Sequence, residues 1–292
     1  MSSAIRPRRS VLYMPGANPK ALEKAKTLPA DALIFDLEDA VAPETKAEAR
    51  ANVVAALAVG GYGKREIIVR VNGLSTDWGK DDVRAAAGAK PHGVLFPKVN
   101  DGADVEACEK ALKDAGAPAD TAIWVMIETP LAILNIKEIA AAAKTTRLSV
   151  FVMGTNDLAK ETRAVQTLAR TAFIPSLTLS VLAARAYGVI AIDGVFNDIA
   201  DEAGFKTICQ QGLELGFDGK TLIHPSQVDP CNTIFAPPAE EVNFAKDVIA
   251  AFALPENAGK GVLKVNGKMT ELLHLEQAKR TVAVAEAISA MA

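Results

Sequence analysis

An alternation constrains this chain more than any other feature. Eight short, almost continuously apolar runs are separated by longer stretches of helix-forming residues. The runs are residues 10–15, 32–37, 66–71, 93–97, 122–127, 148–153, 189–192 and 219–223. They are rich in Val, Ile and Phe and lack polar alternation, so they read as strands buried on both faces. The stretches 21–28, 46–59, 105–115, 131–144, 177–187 and 205–215 are dominated by Ala, Leu, Glu and Lys, which favour helix. Gly60, Gly116 and Gly216 mark helix ends. Strands separated by helices pair in parallel through right-handed crossovers. Eight of them predict an α/β chain folded as a closed (β/α)8 barrel, not an open doubly wound sheet. No glycine-rich dinucleotide fingerprint or Walker sequence follows the first strand; residues 14–19 read as a turn and a helix start.

The eighth run ends near His224 and Pro225, which sets the expected organisation as a catalytic barrel over residues 1–225 and a C-terminal extension over 226–292. The extension has a break at Pro237 and Pro238, a helix-like run at 240–252, a glycine-punctuated stretch at 259–267 and a final helix at 274–290. With 50% apolar residues the chain is not of the disordered class. Its 32 Lys and Arg against 35 Asp and Glu give no global basic field for nucleic acid. Cys108, Cys209 and Cys231 are odd in number and widely spaced, which argues against a disulfide framework and a thiolate metal site and suits a reducing compartment. The basic residues Arg6, Arg8 and Arg9 precede an apolar run too short for a signal-peptide core. No stretch approaches the roughly 18 apolar residues of a membrane span. The expectation is a cytoplasmic protein engaging neither nucleic acid nor membrane.

Barrel enzymes act at the C-terminal ends of their strands. The polar residues expected there are Asp36, Glu38 and Asp39; Arg70 and Asn72; Lys98; Glu128; Gly154, Thr155, Asn156 and Asp157; Asp193, Asn197 and Asp198; and His224. Glu128 and Asp157 end adjacent strands. Two carboxylates with open positions suit Mg²⁺, or Mn²⁺ in its place. Two readings stand for each acid: metal ligand, or partner of the helix that follows it. Arg70, at the inner end of an apolar strand, needs a partner. It reads as an ion pair with Asp36, Glu38 or Asp39, as a clamp on a substrate oxyanion, or as both. Lys98 and Arg9 read as ligands of anionic phosphates at the mouth, or as a strand-end salt bridge and a solvated tail. A Schiff-base role for Lys98 is disfavoured, because surrounding acids keep it protonated. His224 reads as a structural hydrogen-bonding residue more than as a base.

These residues carry a resemblance. Residues 9–16 (RSVLYMPG) and 35–41 (FDLEDAV) resemble the opening of the citrate lyase β-subunit-like family, which includes malyl-CoA and citramalyl-CoA lyases. The likeness continues through 69–72 (VRVN), 96–99 (FPKV), 127–129 (IET), 153–158 (MGTNDL), 216–227 (GFDGKTLIHPSQ) and 267–269 (GKM). It spans nearly the whole chain in order. The resemblance implies a Mg²⁺-dependent carbon–carbon lyase that cleaves, reversibly, a 3-hydroxy-3-carboxyacyl-CoA thioester such as malyl-CoA or citramalyl-CoA. The products would be acetyl-CoA and a 2-oxo acid. Glu128 and Asp157 would hold the metal, with Glu38 and Asp39 beside it. Arg70 would contact substrate oxygens, and the amides around Gly154, Thr155 and Asn156 would hold its carboxylate. The resemblance also implies a homo-oligomer, a trimer or hexamer, whose extension packs on a neighbouring subunit.

One departure stands out. Family members that condense or hydrolyse thioesters carry an aspartate two residues after the Gly-Lys-Met methionine, and here that place is Glu271. Glu271 is kept as an acid/base candidate, alongside its reading as an exposed residue before the last helix. The extra methylene shifts the expectation toward cleavage over hydrolysis. The alternatives are a citrate lyase β subunit acting on a citryl carrier protein, and a barrel kept as a non-catalytic subunit.

Overall fold

The structure, a computed structural model, describes residues 5–291. Eight parallel strands form a closed barrel in sequence order: β1 Ser10–Pro15, β2 Ala32–Asp36, β3 Glu66–Arg70, β4 Gly93–Phe96, β5 Ala122–Ile127, β6 Leu148–Met153, β7 Ile190–Asp193 and β8 Gly219–Leu222. Pairing of β1 with β8 closes it, with Ser10 opposite Lys220 and Leu12 opposite Leu222. The helices are α1 Pro19–Lys24, α2 Lys46–Val59, α3 Gly79–Ala89, α4 Gly102–Asp114, α5 Pro130–Leu134, α6 Ile136–Ala141, α7 Thr155–Thr162, α8 Ile174–Tyr187, α9 Glu202–Glu214 and α10 Val228–Phe235.

The continuous apolar character of the strands has a direct structural reason: each strand is covered on both faces. Val11, Ile34, Ile68, Leu95, Trp124, Val150 and Ile192 fill the barrel interior. Their neighbours Leu12, Leu33, Phe35, Val69, Phe96, Val125 and Phe151 pack outward under the helices. At the foot of the barrel Arg8 reaches Glu66 at 2.6 Å and lies 5.5 Å over the Trp124 ring. Beside it, Arg9 binds Asp31 through Nε and Nη2 at 2.8 Å each. This corrects the placement of Arg9 at the mouth. A residue preceding a strand that runs toward the mouth sits at the opposite end.

Four further differences have local causes. Residues 131–144 are not one helix: Asn135 interrupts them between α5 and α6, its amide donating to the Asn100 carbonyl at 3.1 Å. The sequence reading gave no helix to α3, whose glycine start is forced by packing; a Cβ on Gly79 would lie 2.2 Å from the Gly73 carbonyl oxygen. The glycine-punctuated stretch is a hairpin, β9 Val262–Val265 and β10 Lys268–Glu271. Asn266 and Gly267 turn it in the left-handed region, at φ 48° and 83°, the Asn-Gly signal of a tight hairpin. Finally, the barrel unit runs from Arg8 to Phe235, ten residues past the expected boundary. Helix α10 belongs to it because Val228, Cys231 and Phe235 are buried.

The second compact unit holds residues 236–291 with residues 5–7. In it α11 Ala239–Ala253 packs with α12 Leu272–Met291 and with the hairpin, around Ala245, Val248, Val265 and Ala278. No helix among the described residues is long and apolar enough to cross a membrane.

Candidate active site

The C-terminal ends of the strands open onto a cavity of about 300 Å³ whose lining includes Tyr13, Asp36, Asp39, Arg70, Glu128 and Asp157. Arg70 is the last residue of β3 and sits opposite Asp36, the last residue of β2. Its Nε and Nη2 donate to the two Asp36 oxygens at 2.7 Å each, a bidentate pair. Nη1 lies 3.2 Å from Asp39 Oδ2 and 2.7 Å from Glu38 Oε2. The Asp36 carboxylate also accepts the backbone amides of Glu38 at 2.9 Å and Ala40 at 3.1 Å. Asp36 thus fixes both the arginine and the loop carrying Glu38 and Asp39. The ion pair expected as one reading of Arg70 is present, and the guanidinium still faces the cavity. Burial is the largest single influence and works against its charge, but Asp36, Tyr13 and Glu38 together outweigh it and hold the Arg70 pKa well above its ordinary value.

Glu38 is less settled chemically. Its Oε2 is buried and has no hydrogen-bond donor among the described residues, although it lies near Arg70. Burial, with help from Asp39 and Glu128 and against Arg70, pushes its carboxyl up to about 8.

Glu128 follows β5 directly, and Asp157 lies in the first turn of α7. They are bridged by one residue. The Lys98 backbone amide donates to Glu128 Oε1 at 2.7 Å. Its ammonium lies 2.6 Å from Asp157 Oδ1 and 3.8 Å from Glu128 Oε1. Lys98 sits at φ 55°, in the left-handed region that side chains rarely adopt. Its amide is aimed at Glu128 at that conformational cost. Burial pushes Glu128 up to about 7, with Lys98 opposing. Lys98 therefore occupies the acid pair in the manner of a salt bridge, the second of its expected readings.

Gly154, Thr155 and Asn156 form the wall beside this pair. A Cβ on Gly154 would lie 2.3 Å from Glu128 Cβ and 2.8 Å from its Oε2, so only glycine lets Glu128 reach its place. Asn156 exchanges amide hydrogen bonds with Asn197 at 2.8 and 3.2 Å and is further fixed by Gln166.

Several residues expected at the mouth are elsewhere. Asp193 is fully buried behind it, bound by Arg170 at 2.7 Å and Lys220 at 3.1 Å. Burial would raise its pKa, but Lys220 and Arg170 together hold it below the ordinary range. Asn72 donates to Asp82 at 2.6 Å beneath the loop. Asp198 caps the backbone amides of Ala200 and Asp201. His224 accepts from the Ser226 amide and caps the turn after β8, in keeping with its structural reading. Glu271 ends β10 in the second unit, exposed, with its amide bonded to His274. Sequence reading passed over Tyr13 and Met126, which line the cavity floor.

Whether this mouth fits a divalent cation is a question of charge. No group of three or more His, Cys, Asp and Glu able to hold a metal occurs among the described residues. Glu128 and Asp157 are a two-carboxylate set, which Mg²⁺ accepts when water and substrate complete its shell. Asp36, Glu38, Asp39, Glu128 and Asp157 cluster around Arg70 and Lys98, with Lys46 behind the loop, where its ammonium donates to the Glu38 carbonyl. Burial, with neighbouring carboxylates adding to it, raises Glu38 to about 8 and Glu128 to about 7, and a divalent cation would favour their ionised forms. The glycine cradle that lets Glu128 reach its place agrees with a small cation in this mouth.

Residues 9–225 match the family model described as HpcH/HpaI aldolase/citrate lyase. The chain is 48% identical over 290 residues, 99% of both chains, to a protein of Cereibacter sphaeroides named (3S)-malyl-CoA thioesterase. It is 37% identical over 286 residues to citrate lyase subunit beta of Escherichia coli, covering 96% of this chain and 94% of that one. Among solved structures it resembles protein CitE of Mycobacterium tuberculosis in complex with magnesium, acetoacetate and coenzyme A. That match has a TM-score of 0.73 and 26% identity, covering 95% of this chain and 97% of that one. A family match over most of the chain, relatives aligned almost end to end and a shared barrel agree: this chain is an enzyme of the HpcH/HpaI aldolase/citrate lyase family.

Proposed function

We propose that this enzyme is Mg²⁺-dependent and acts on a CoA thioester of a short 3-hydroxy-3-carboxy acid, malyl-CoA being the reference substrate. Its net reaction is hydrolysis to the free acid and CoA. The observation that carries this reading is the 48% identity, over 99% of both chains, to a protein named for that thioesterase activity. The acidic mouth around Arg70 supplies a site suited to the chemistry.

Glu128 and Asp157 hold the metal in this reading, in place of the Lys98 ammonium. The chemistry bound Mg²⁺ supplies is Lewis-acid polarisation of the substrate oxygen it chelates. Arg70, fixed by Asp36, offsets negative charge that develops on the acyl oxygen. Glu38 Oε2 exchanges a proton with the reacting group, because its raised pKa lets it both hold and release one near neutrality. Asp39 supports that exchange from the rim. The first turn of α7, with Gly154, Thr155 and Asn156, faces the substrate carboxylate with a helix N-terminus. Displaced from the acid pair, Lys98 is available to CoA phosphates. Glu271 is the carboxylate contributed from a neighbouring copy in a homo-oligomer, a trimer or hexamer, with the second unit as the oligomerising extension. Residence in the cytoplasm belongs to the same proposal.

A second reading is carbon–carbon cleavage of the same thioester to acetyl-CoA and glyoxylate. It is favoured by Glu271 standing where the resembling hydrolases carry aspartate. The groups that cleavage needs, Arg70, Glu38, Glu128 and Asp157, all belong to the barrel unit.

The test is an assay of purified protein with Mg²⁺ against malyl-, citramalyl- and citryl-CoA, following free thiol, acetyl-CoA and each acid product. Thiol release with malate and no acetyl-CoA supports hydrolysis. Acetyl-CoA with glyoxylate transfers the assignment to cleavage. No turnover of any thioester overturns the substrate class.

A further inference from the structure

The floor of the mouth holds a hydrogen-bond donor with a poor partner. Tyr13, on β1, rises from the barrel interior and lines the cavity, where it is half-buried. The Arg70 guanidinium lies 4.8 Å over its ring, so the ring supports the cation that Asp36 fixes from the side. The hydroxyl extends past Arg70 toward β5 and donates to Met126 Sδ over 3.6 Å. A thioether is among the weakest acceptors a protein offers. The hydroxyl is also poorly used for its location, since four carboxylates line this mouth and none takes its hydrogen.

The direction of the hydroxyl matters. The methyl end of Met126 lies 3.2 Å from the point a Gly154 Cβ would occupy, and Glu128 Oε2 lies 2.8 Å from the same point. Tyr13 therefore points to the side of the cavity where Glu128 stands. A substrate acid bound there brings anionic oxygen to a cavity already crowded with negative charge. Arg70, the cation on the floor, is already bound to Asp36 and lies against Glu38 and Asp39. A neutral donor beside it adds attraction without asking any of those carboxylates to give up the guanidinium.

We infer that Tyr13 is a substrate-binding residue, its hydroxyl leaving Met126 to donate a hydrogen bond to a carboxylate oxygen of the bound hydroxy or oxo acid. The inference rests on the proposed function, because it takes the ligand to be a small acid held at the Glu128 side. It adds to that reading a contact that no acidic or basic residue of the mouth provides. A hydrogen bond to a charged oxygen is strong enough to be read in affinity.

The test uses the full chain with Mg²⁺ and oxalate, a small dianion that stands in for the acid, by titration calorimetry. Native protein binds oxalate in the presence of Mg²⁺, and Tyr13→Phe weakens that binding by about tenfold or more. Mg²⁺ binding without oxalate stays within about twofold in the variant, since the phenol is not a metal ligand. Tyrosine labelled with carbon-13 at the ring carbon bearing the hydroxyl gives a second readout. The chain has three tyrosines, so the resonance missing from Tyr13→Phe identifies Tyr13. That resonance shifts in native protein when oxalate is added. If native protein and Tyr13→Phe bind oxalate equally, or the resonance does not move at saturation, this inference fails while the functional reading stands. Loss of Mg²⁺ binding in Tyr13→Phe shows a merely structural residue and also overturns it. Failure of native protein to bind oxalate with Mg²⁺ removes the functional reading and this inference together.

Discussion

The Lys98 backbone amide donates to Glu128 Oε1 at 2.7 Å from a left-handed residue whose own ammonium bridges to Asp157. One residue thus orients one carboxylate by its main chain and neutralises the other by its side chain. Replacing the side chain separates the two effects. Lys98→Met keeps the amide contact and removes the competing cation, so Mg²⁺ binds more tightly, by up to about fivefold for an exposed ion pair of this kind. Calorimetric titration of metal into both proteins checks the sign; weaker binding in the variant contradicts the displacement.

Glu128→Gln removes the charge that the proposed function assigns to the metal, with little change in volume. We expect turnover with Mg²⁺ to fall by at least about 10²-fold, the scale of losing a charge-stabilising group. The circular dichroism spectrum should stay native. Unchanged turnover removes Glu128 from the site.

Arg70→Lys keeps a positive charge but not the planar fork that matches Asp36. Turnover should fall by about 10²-fold, since the geometry of the loop carrying Glu38 and Asp39 depends on that pair. Steady-state rates near the native value would show that the fork is dispensable.

Metal binding should release protons. Burial holds Glu38 at about 8 and Glu128 at about 7 without metal, so both carry protons for part of the time at pH 7. A divalent cation favours their ionised forms. The sign follows: apparent Mg²⁺ affinity rises as pH increases from about 6 to 8 and falls on acidification. Calorimetry in buffers of different ionisation enthalpy reads the released protons directly, and buffer-independent heats would contradict the argument.

The buried Asp193 makes the barrel acid-sensitive. Lys220 and Arg170 hold its folded-state pKa below the unfolded value of about 3.9. Its contribution is complete above that value and is lost as pH falls through the lower, folded one. Asp193→Asn leaves two buried cations without their anion and should cost about 3–5 kcal/mol at pH 7. The gap between native and variant stability should narrow as pH falls below about 4, and urea unfolding across that range tests it.

The strands were legible because burial on both faces writes itself as unbroken apolar sequence; β1, β5 and β6 begin and end where the runs do. Arg70, Glu38, Glu128 and Asp157 were legible because strand ends in a barrel share one mouth. What escaped was set by neighbours distant in sequence. Asp193 also ends a strand, but Lys220 and Arg170 draw it inward, and nothing local announces that pairing. Tyr13 hid inside an apolar run, where its hydroxyl counts for little until Met126 and Arg70 are placed around it. The Asn266–Gly267 turn was readable in principle, but its flanking strands are short and mostly exposed, without the apolar signature used elsewhere.

Closure of β1 against β8 has a bearing on how the chain is made. Ser10 waits for Lys220, and the Lys220 amide donates to the Arg9 carbonyl at 3.0 Å. On the ribosome, at about 5–20 residues per second, the free side of the first strand stays unsatisfied for roughly 10–40 s. During that interval it is an open template for any passing strand. Shielding of that edge until the eighth strand emerges should raise the yield of native enzyme, and slowing translation between the first and last strands should lower it.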